Sequence, residues 1–182
     1  MTAPRVVAVV GSRREESRTR VALDAALAAA ADAGAETDCI DLGRADVPLY
    51  HPGEDEPGDV GELLARMRRA DGVLVGSPVY HGSYASTFKN FHDYCGSDEF
   101  EGTVSGLLAV AGGENYEGTL EHMRATLRNV HSLVLSRQVG IPHASNSFED
   151  GRLDDENVAK RLRTLGTEVT EYAERLDGES LD

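Results

Sequence analysis

The order of residue patterns predicts an α/β protein: a three-layer sandwich in which a five-stranded parallel sheet, in strand order 2-1-3-4-5, is covered by helices on both faces. Three observations predict it. Continuous apolar, β-branched runs, the mark of strands buried on both faces, recur along the chain. Between them lie stretches with apolar residues at helical spacing, so that strand and helix alternate through five units. Right-handed crossovers then leave few strand orders open. At 182 residues the whole chain, 1–182, makes a single domain able to bury a full core.

Arg5 to Val10, RVVAVV, is the first strand and ends at Gly11. An Ala-rich helix from Ser17 to Ala33 follows, with Ser17 as N-cap and Gly34 as its stop. Thr37 to Leu42 gives a second strand. Gly43 to Asp59, rich in Pro, Gly and acid, sustains no regular element and is a long loop. Val60, Leu63, Leu64 and Met67 form a helical stripe before the third strand, Gly72 to Gly76. A helix over Ala85 to Tyr94 leads to the fourth strand, Thr103 to Ala111, which runs into Gly112 and Gly113. Leu120, Met123, Leu127 and Val130 again have helical spacing, and Ser132 to Arg137 is the fifth strand. After an irregular segment, Val139 to Leu153, the last helix carries a stripe expected to be buried: Val158, Leu162, Leu165, Val169, Tyr172 and Leu176.

Composition excludes several classes of function. With 32 acidic residues against 18 Lys and Arg the net charge is -14, and such a surface repels nucleic acid. Only Lys89 and Lys160 are lysines. An acidic, lysine-poor surface fits a salt-rich cytosol, where a Debye length of about 3 Å screens carboxylate self-repulsion, and points to a halophilic source. No apolar run approaches a membrane span, and Val6 to Val10 is too short for a signal-peptide core, so a soluble, cytoplasmic protein is expected. Cys39 and Cys95 have no CxxC spacing and read as inert thiols. The six histidines show no metal-ligand spacing, and no metal is expected.

Ligands of open α/β sheets bind beyond the strand C-termini where the winding reverses, here between strands one and three. The loops that meet there are Gly11 to Ser17, Ser77 to Ser83 and Gly112 to Gly118. The first offers two hydroxyls, Arg13, Arg14 and the free N–H groups of a helix start, a combination suited to phosphate. It is neither GxGxxG nor a loop ending in GK[ST], which disfavours a nucleoside triphosphate. On this loop alone a second reading stays open, in which Ser17 only caps the helix and both arginines are solvated.

The second loop reads Ser77 Pro78 Val79 Tyr80 His81 Gly82 Ser83, with Lys89 Asn90 Phe91 His92 Asp93 on the next helix. Together, G-S-x-R-x-x-S and S-P-x-Y-x-G-S-x(5)-K-N-x-x-D resemble the NADPH-dependent FMN reductase family, whose fold is flavodoxin-like, over nearly the whole chain. The resemblance implies that Ser12, Arg14 and Ser17 hold the FMN phosphate, with Thr19 where the family usually has Asn. It implies that Pro78, Val79, Tyr80 and Gly82 line the isoalloxazine and ribityl portion, that His81 lies near the flavin, and that Ser83 begins the following helix. Gly112 and Gly113 match the third flavin loop. Val79 stands where Glu is common and His81 where Asn is common, a departure at the ring contacts. For Lys89, Asn90 and Asp93 a structural role, pairing and capping near a subunit interface, is expected.

The implied activity is NAD(P)H-dependent reduction of FMN. Hydride passes from the nicotinamide to flavin N5 and the electrons then go to a small acceptor: a quinone, free flavin, azo compound or metal oxyanion. The flavin carries the reactivity, so no catalytic side chain is needed. A homodimer or homotetramer is also implied. Two other classes compete: a flavodoxin-like electron carrier without nicotinamide turnover, and a flavin-free binding protein on the same fold. The arginines of the first loop and the lack of Trp favour the enzyme over the carrier.

Overall fold

The computed structural model describes residues 2–54 and 56–178. Side chains of β1 (Arg5–Val10) alternate between two cores, Val6, Ala8 and Val10 facing one and Val7 and Val9 the other. In α1 (Arg18–Asp32) Ser17 is the N-cap, its hydroxyl accepting from the Arg20 amide at 3.1 Å. There follow β2 (Glu36–Asp41), α2 (Val60–Met67), β3 (Gly72–Tyr80), a short β4 (Ser83–Tyr84), α3 (Ser86–Tyr94) and a one-turn α4 (Ser97–Phe100). Next come β5 (Val104–Val110), α5 (Glu117–Asn129) and β6 (Leu133–Ile141). A 3-10 turn (Ala144–Asn146), the paired β7 (Phe148–Glu149) and β8 (Arg152–Leu153), and α6 (Glu156–Gly178) complete the described chain.

The main sheet runs β2-β1-β3-β5-β6, all parallel, with β4 antiparallel to β3. Counting only the five long strands, this is the expected 2-1-3-4-5. On one face α1 and α6 pack Leu23, Leu162 and Leu165 against the sheet; on the other, α2, α3 and α5 supply Met67, Phe88, Met123 and Leu127. Fully burying such a side chain contributes about 1.5–3 kcal/mol each. α1 and α6 approach to backbone contact, since a Cβ added at Gly166 would fall 1.9 Å from the Ala26 carbonyl oxygen.

Four expectations need correcting. β3 does not stop at Gly76: it pairs with β5 as far as Pro78 and folds back on β4, so Ser83 lies in a strand and α3 starts at Ser86. β6 continues past Arg137 to Ile141 after a register shift opposite Ser105–Leu107. The Arg124 guanidinium caps that irregularity, donating to the carbonyls of Val134 and Leu135 and to Gln138 Oε1. Leu153 and its neighbours are a hairpin rather than irregular chain. On α6 the buried face runs Val158, Leu162, Leu165, Val169 and Ala173, so beyond Val169 the stripe continues at Ala173 in place of the expected Tyr172 and Leu176. Tyr172 and Leu176 are exposed, the former under the Arg175 guanidinium at 5.2 Å.

Both cysteines are partly buried, and burial pushes each thiol above its usual value, keeping it protonated. Among the described residues no helix is long and apolar enough to cross a membrane.

Candidate functional site

The site is assembled at the C-terminal ends of β1, β3 and β5. β1 delivers the chain to Gly11, whose amide donates to the Gly76 carbonyl at 2.8 Å and so ties the first loop to β3. Ser12 is buried, and its hydroxyl accepts from the Arg14 amide at 3.3 Å, curling the loop ahead of α1. The Arg20 guanidinium is engaged by Asp24 and Asp41. Among the described residues Arg13, Arg14 and Arg18 have no carboxylate within ion-pair distance, on a chain of net charge -14. Of these, Arg14 and Arg18 line one cleft, and unpaired cations beside the positive end of a helix dipole form an anion site there; Arg13 lines a separate groove.

The second wall comes from β3. His81 (φ 51) and Gly82 (φ 77) form a two-residue turn with both φ positive, as in a type I′ hairpin, so that Tyr80 pairs with Ser83. Ser77 stabilises this exit from the sheet: its hydroxyl donates to the Pro78 carbonyl and accepts from the Ala85 amide at 2.8 Å. Ser83 Oγ and His122 Nδ1, 2.9 Å apart, brace the hairpin on α5. The third wall is Gly112, where a Cβ would enter open space. Its loop is clamped by three backbone bonds, Ala111 to Ile141, His143 to Gly113 and Ala144 to Ala111, of 2.8–2.9 Å.

These walls enclose a cleft of about 340 Å³. Of the residues singled out from sequence, Ser12, Arg14, Thr19, Pro78, Val79, Tyr80 and Gly112 line it. Ser17 is used as the helix cap and faces a neighbouring groove. His81, Gly82, Ser83 and Gly113 are not among the lining residues; they build the turn, the brace and the clamp instead. Glu16, Arg18, Val110 and Ala144 also line the cleft. Arg18 and Val110 were within reach of sequence reasoning, as neighbours of Ser17 and Gly112; Ala144 arrives only through the long-range clamp.

Lys89 pairs with Asp93 one helical turn away. Asn90 is an anchor: its Oδ1 accepts from the Tyr50 amide at 2.8 Å, and its Nδ2 donates to the carbonyls of Pro48 (2.8 Å) and Val47 (3.3 Å). The Tyr94 hydroxyl donates to the same Pro48 carbonyl. His92, 7 % exposed, is packed between Phe88 and Phe100 with Nδ1 unpartnered, and burial lowers its pKa.

The model of one known family, the NADPH-dependent FMN reductases, matches residues 4–146. The chain belongs to this family. It is 30% identical over 182 residues to the NADPH azoreductase of Bacillus sp. (strain OY1-2), an alignment covering 94% of this chain and 98% of the relative. It is 30% identical over 163 residues to the NADH-dependent FMN reductase SfnE of Pseudomonas putida, covering 87% and 86% respectively. In fold it is similar to the apo crystal structure of the NADH:FMN oxidoreductase EMOB, with a TM-score of 0.78 at 22% identity over 93% of this chain and 89% of that one. Membership of the NADPH-dependent FMN reductases makes FMN the cofactor and a reduced nicotinamide the electron donor.

Proposed function

We propose that this protein is an NAD(P)H-dependent FMN oxidoreductase that holds FMN in the cleft between the three loops and passes electrons to a small acceptor, such as a quinone, free flavin, azo compound or metal oxyanion. The observation that carries the reading is the set of donors at the start of α1: buried Ser12, and Arg14 and Arg18, without carboxylate partners among the described residues, all lining one cleft. That set fits a phosphate dianion. The rest of the cleft fits a flat ring, with Pro78, Val79 and Val110 as apolar wall and Gly112 presenting bare backbone.

When held in this cleft by Ser12, Arg14, Arg18 and Pro78 to Tyr80, FMN would supply two-electron redox chemistry between the nicotinamide and the acceptor. The protein's own part is to bind and orient. Ser12, Arg14, Arg18 and Thr19 anchor the phosphate end, while Ser17 preserves the helix start by capping it. Pro78 to Tyr80 hold the ring end, and Tyr80, 46 % exposed, borders the open mouth. His81, Gly82, Ser83 and Gly113 keep the two ring-side loops in shape.

Adding FMN to the purified protein should give a bound-flavin spectrum that bleaches on anaerobic addition of NADPH. Arg14→Ala should weaken FMN binding by about 1.5–3 kcal/mol, the worth of a hydrogen bond to a charged group. A bound flavin that NADPH fails to bleach would make the protein an electron carrier; no flavin binding would overturn the proposal. The reading also takes the enzyme to be a cytoplasmic homodimer or homotetramer, for which the support is the family resemblance; a monomer at micromolar concentration in sedimentation would remove that part.

A further inference from the structure

Arg13 and Arg14 are consecutive in the cradle loop yet line different cavities. Arg14 faces the flavin cleft, and Arg13 a groove of about 480 Å³ on the other side of the loop. That volume lies within the roughly 300–1,000 Å³ of small-molecule sites. Consecutive Cα atoms are about 3.8 Å apart, so the two cavities are lined from adjacent points of one loop. Neither guanidinium has a carboxylate partner among the described residues, and a single flavin phosphate accounts for Arg14 and Arg18 but leaves Arg13 unused.

The groove lies between residues 42–50 and α3, and its chemistry is mixed in a particular way. One wall is apolar, from Val47, Leu49 and Tyr50. Arg13 brings a free cation, while the charge of Lys89 is already matched by Asp93. Asp46 offers a carboxylate acceptor. The wall is also stiff. Asn90 holds the 47–50 backbone through three hydrogen bonds, the Tyr50 and Tyr94 rings meet edge to face at 5.0 Å, and Gly43 presses so near the cradle that a Cβ there would lie 2.5 Å from the Ser12 carbonyl oxygen. A preformed pocket with an apolar wall, one unpaired cation and one acceptor matches a phosphorylated nucleoside: base on the wall, phosphate on Arg13, ribose hydroxyls donating to Asp46.

We infer that this groove seats the phosphorylated adenosine half of the nicotinamide donor, with Arg13 as its phosphate ligand, so that one loop grips the flavin phosphate on one side and the donor's adenylate on the other. The inference rests on the redox reading above. It makes Arg13 a determinant of donor affinity with no part in holding FMN.

The test uses the FMN-loaded protein and calorimetric titration with adenosine 2′,5′-bisphosphate and with adenosine 5′-monophosphate. Arg13→Ala should weaken binding of the bisphosphate roughly tenfold or more, and Arg13→Lys should recover part of it, while FMN affinity, read by flavin fluorescence, stays at the wild-type value. Weakening confined to the bisphosphate assigns Arg13 to the 2′-phosphate; equal weakening of both ligands assigns it to the 5′-phosphate. Failure of the bisphosphate to bind, or unchanged binding by Arg13→Ala, overturns the inference. So does a Leu49→Asp variant that turns an assembled protein into monomers with nucleotide affinity unchanged, since the groove would then belong to a subunit contact. Loss of FMN binding in the wild-type protein would instead defeat the redox reading, which the fluorescence titration reports separately.

Discussion

Two hairpins, Tyr80–Ser83 and Glu149–Arg152, are closed by the same kind of turn. His81 and Gly82 have φ of 51 and 77°, Asp150 and Gly151 of 46 and 74°. Both pairs obey the rule that a tight hairpin with native twist needs positive φ at its two central residues. Their surroundings differ. The first prolongs β3, a central strand of the main sheet, and is braced on α5 through Ser83 and His122; its incoming strand lines the flavin cleft with Pro78, Val79 and Tyr80. The second is a separate two-stranded sheet held by buried Phe148 and by amides of Asp154 and Asp155 donating to the Ser147 carbonyl. Its turn borders the outer groove by Ser17 and Arg18 and is not among the residues lining the flavin cleft. A local rule thus makes the turn, and the strand it continues decides whether the turn matters to the ligand.

The strongest way to break this comparison is to strain both turns. Gly82→Val and Gly151→Val should each cost about 1–3 kcal/mol in denaturant unfolding, because a β-branched residue resists positive φ. Only the first should also weaken FMN binding, by at least roughly tenfold as the cleft wall shifts. Equal losses of flavin affinity in fluorescence titrations would show that the second hairpin shapes the cleft too. A smaller effect comes from the brace: Ser83→Ala should cost about 1 kcal/mol or less and raise the FMN dissociation constant a few-fold.

Acid sharpens the contrast further. The first hairpin runs directly into α3, where His92 is buried against Phe88 and Phe100 near Lys89, Asp93 and the Thr126 backbone, and burial depresses its pKa below the ordinary 6.5. Protonation therefore favours the unfolded chain. Stability from this group is complete above about pH 6.5 and is lost as pH falls through the lowered native value. Amides of α3 and β4 should lose hydrogen-exchange protection in that window before those of β7 and β8, and His92→Phe should remove the difference. Salt should give the smallest effect and the opposite preference. Residues 148–156 carry five carboxylates and residues 77–84 none, so molar KCl should protect the second hairpin more while raising the melting temperature overall. A melting temperature indifferent to KCl would remove the halophilic reading of the acidic surface.

Strand order and the Ser17 cap were legible because each rests on a local pattern: β-branched runs, helical spacing and a hydroxyl ahead of an apolar face. The phosphate end of the cleft was legible for the same reason, its donors being contiguous in Ser12 to Thr19. Asp150–Gly151 is a hairpin signal in plain sight, but strands of two residues leave no alternation to read beside it. Ser83 looks like a helix start by residue type; the bond from the Ala85 amide to Ser77, across the hairpin, moves the start to Ser86. Ala144 has no local signal, since backbone bonds between distant loops bring it to the cleft.

The family match ends at residue 146, yet the helix beyond it supports the cradle. Gly166 lets α6 lie so near α1 that no methyl group fits between them at Ala26. α1 is in this sense a cantilever: its free end presents the anion pocket, and its footing is bolted to a segment the shared pattern leaves out. Cutting the chain after Asn146 would spare every residue that lines the flavin cleft and still unseat the beam that carries them.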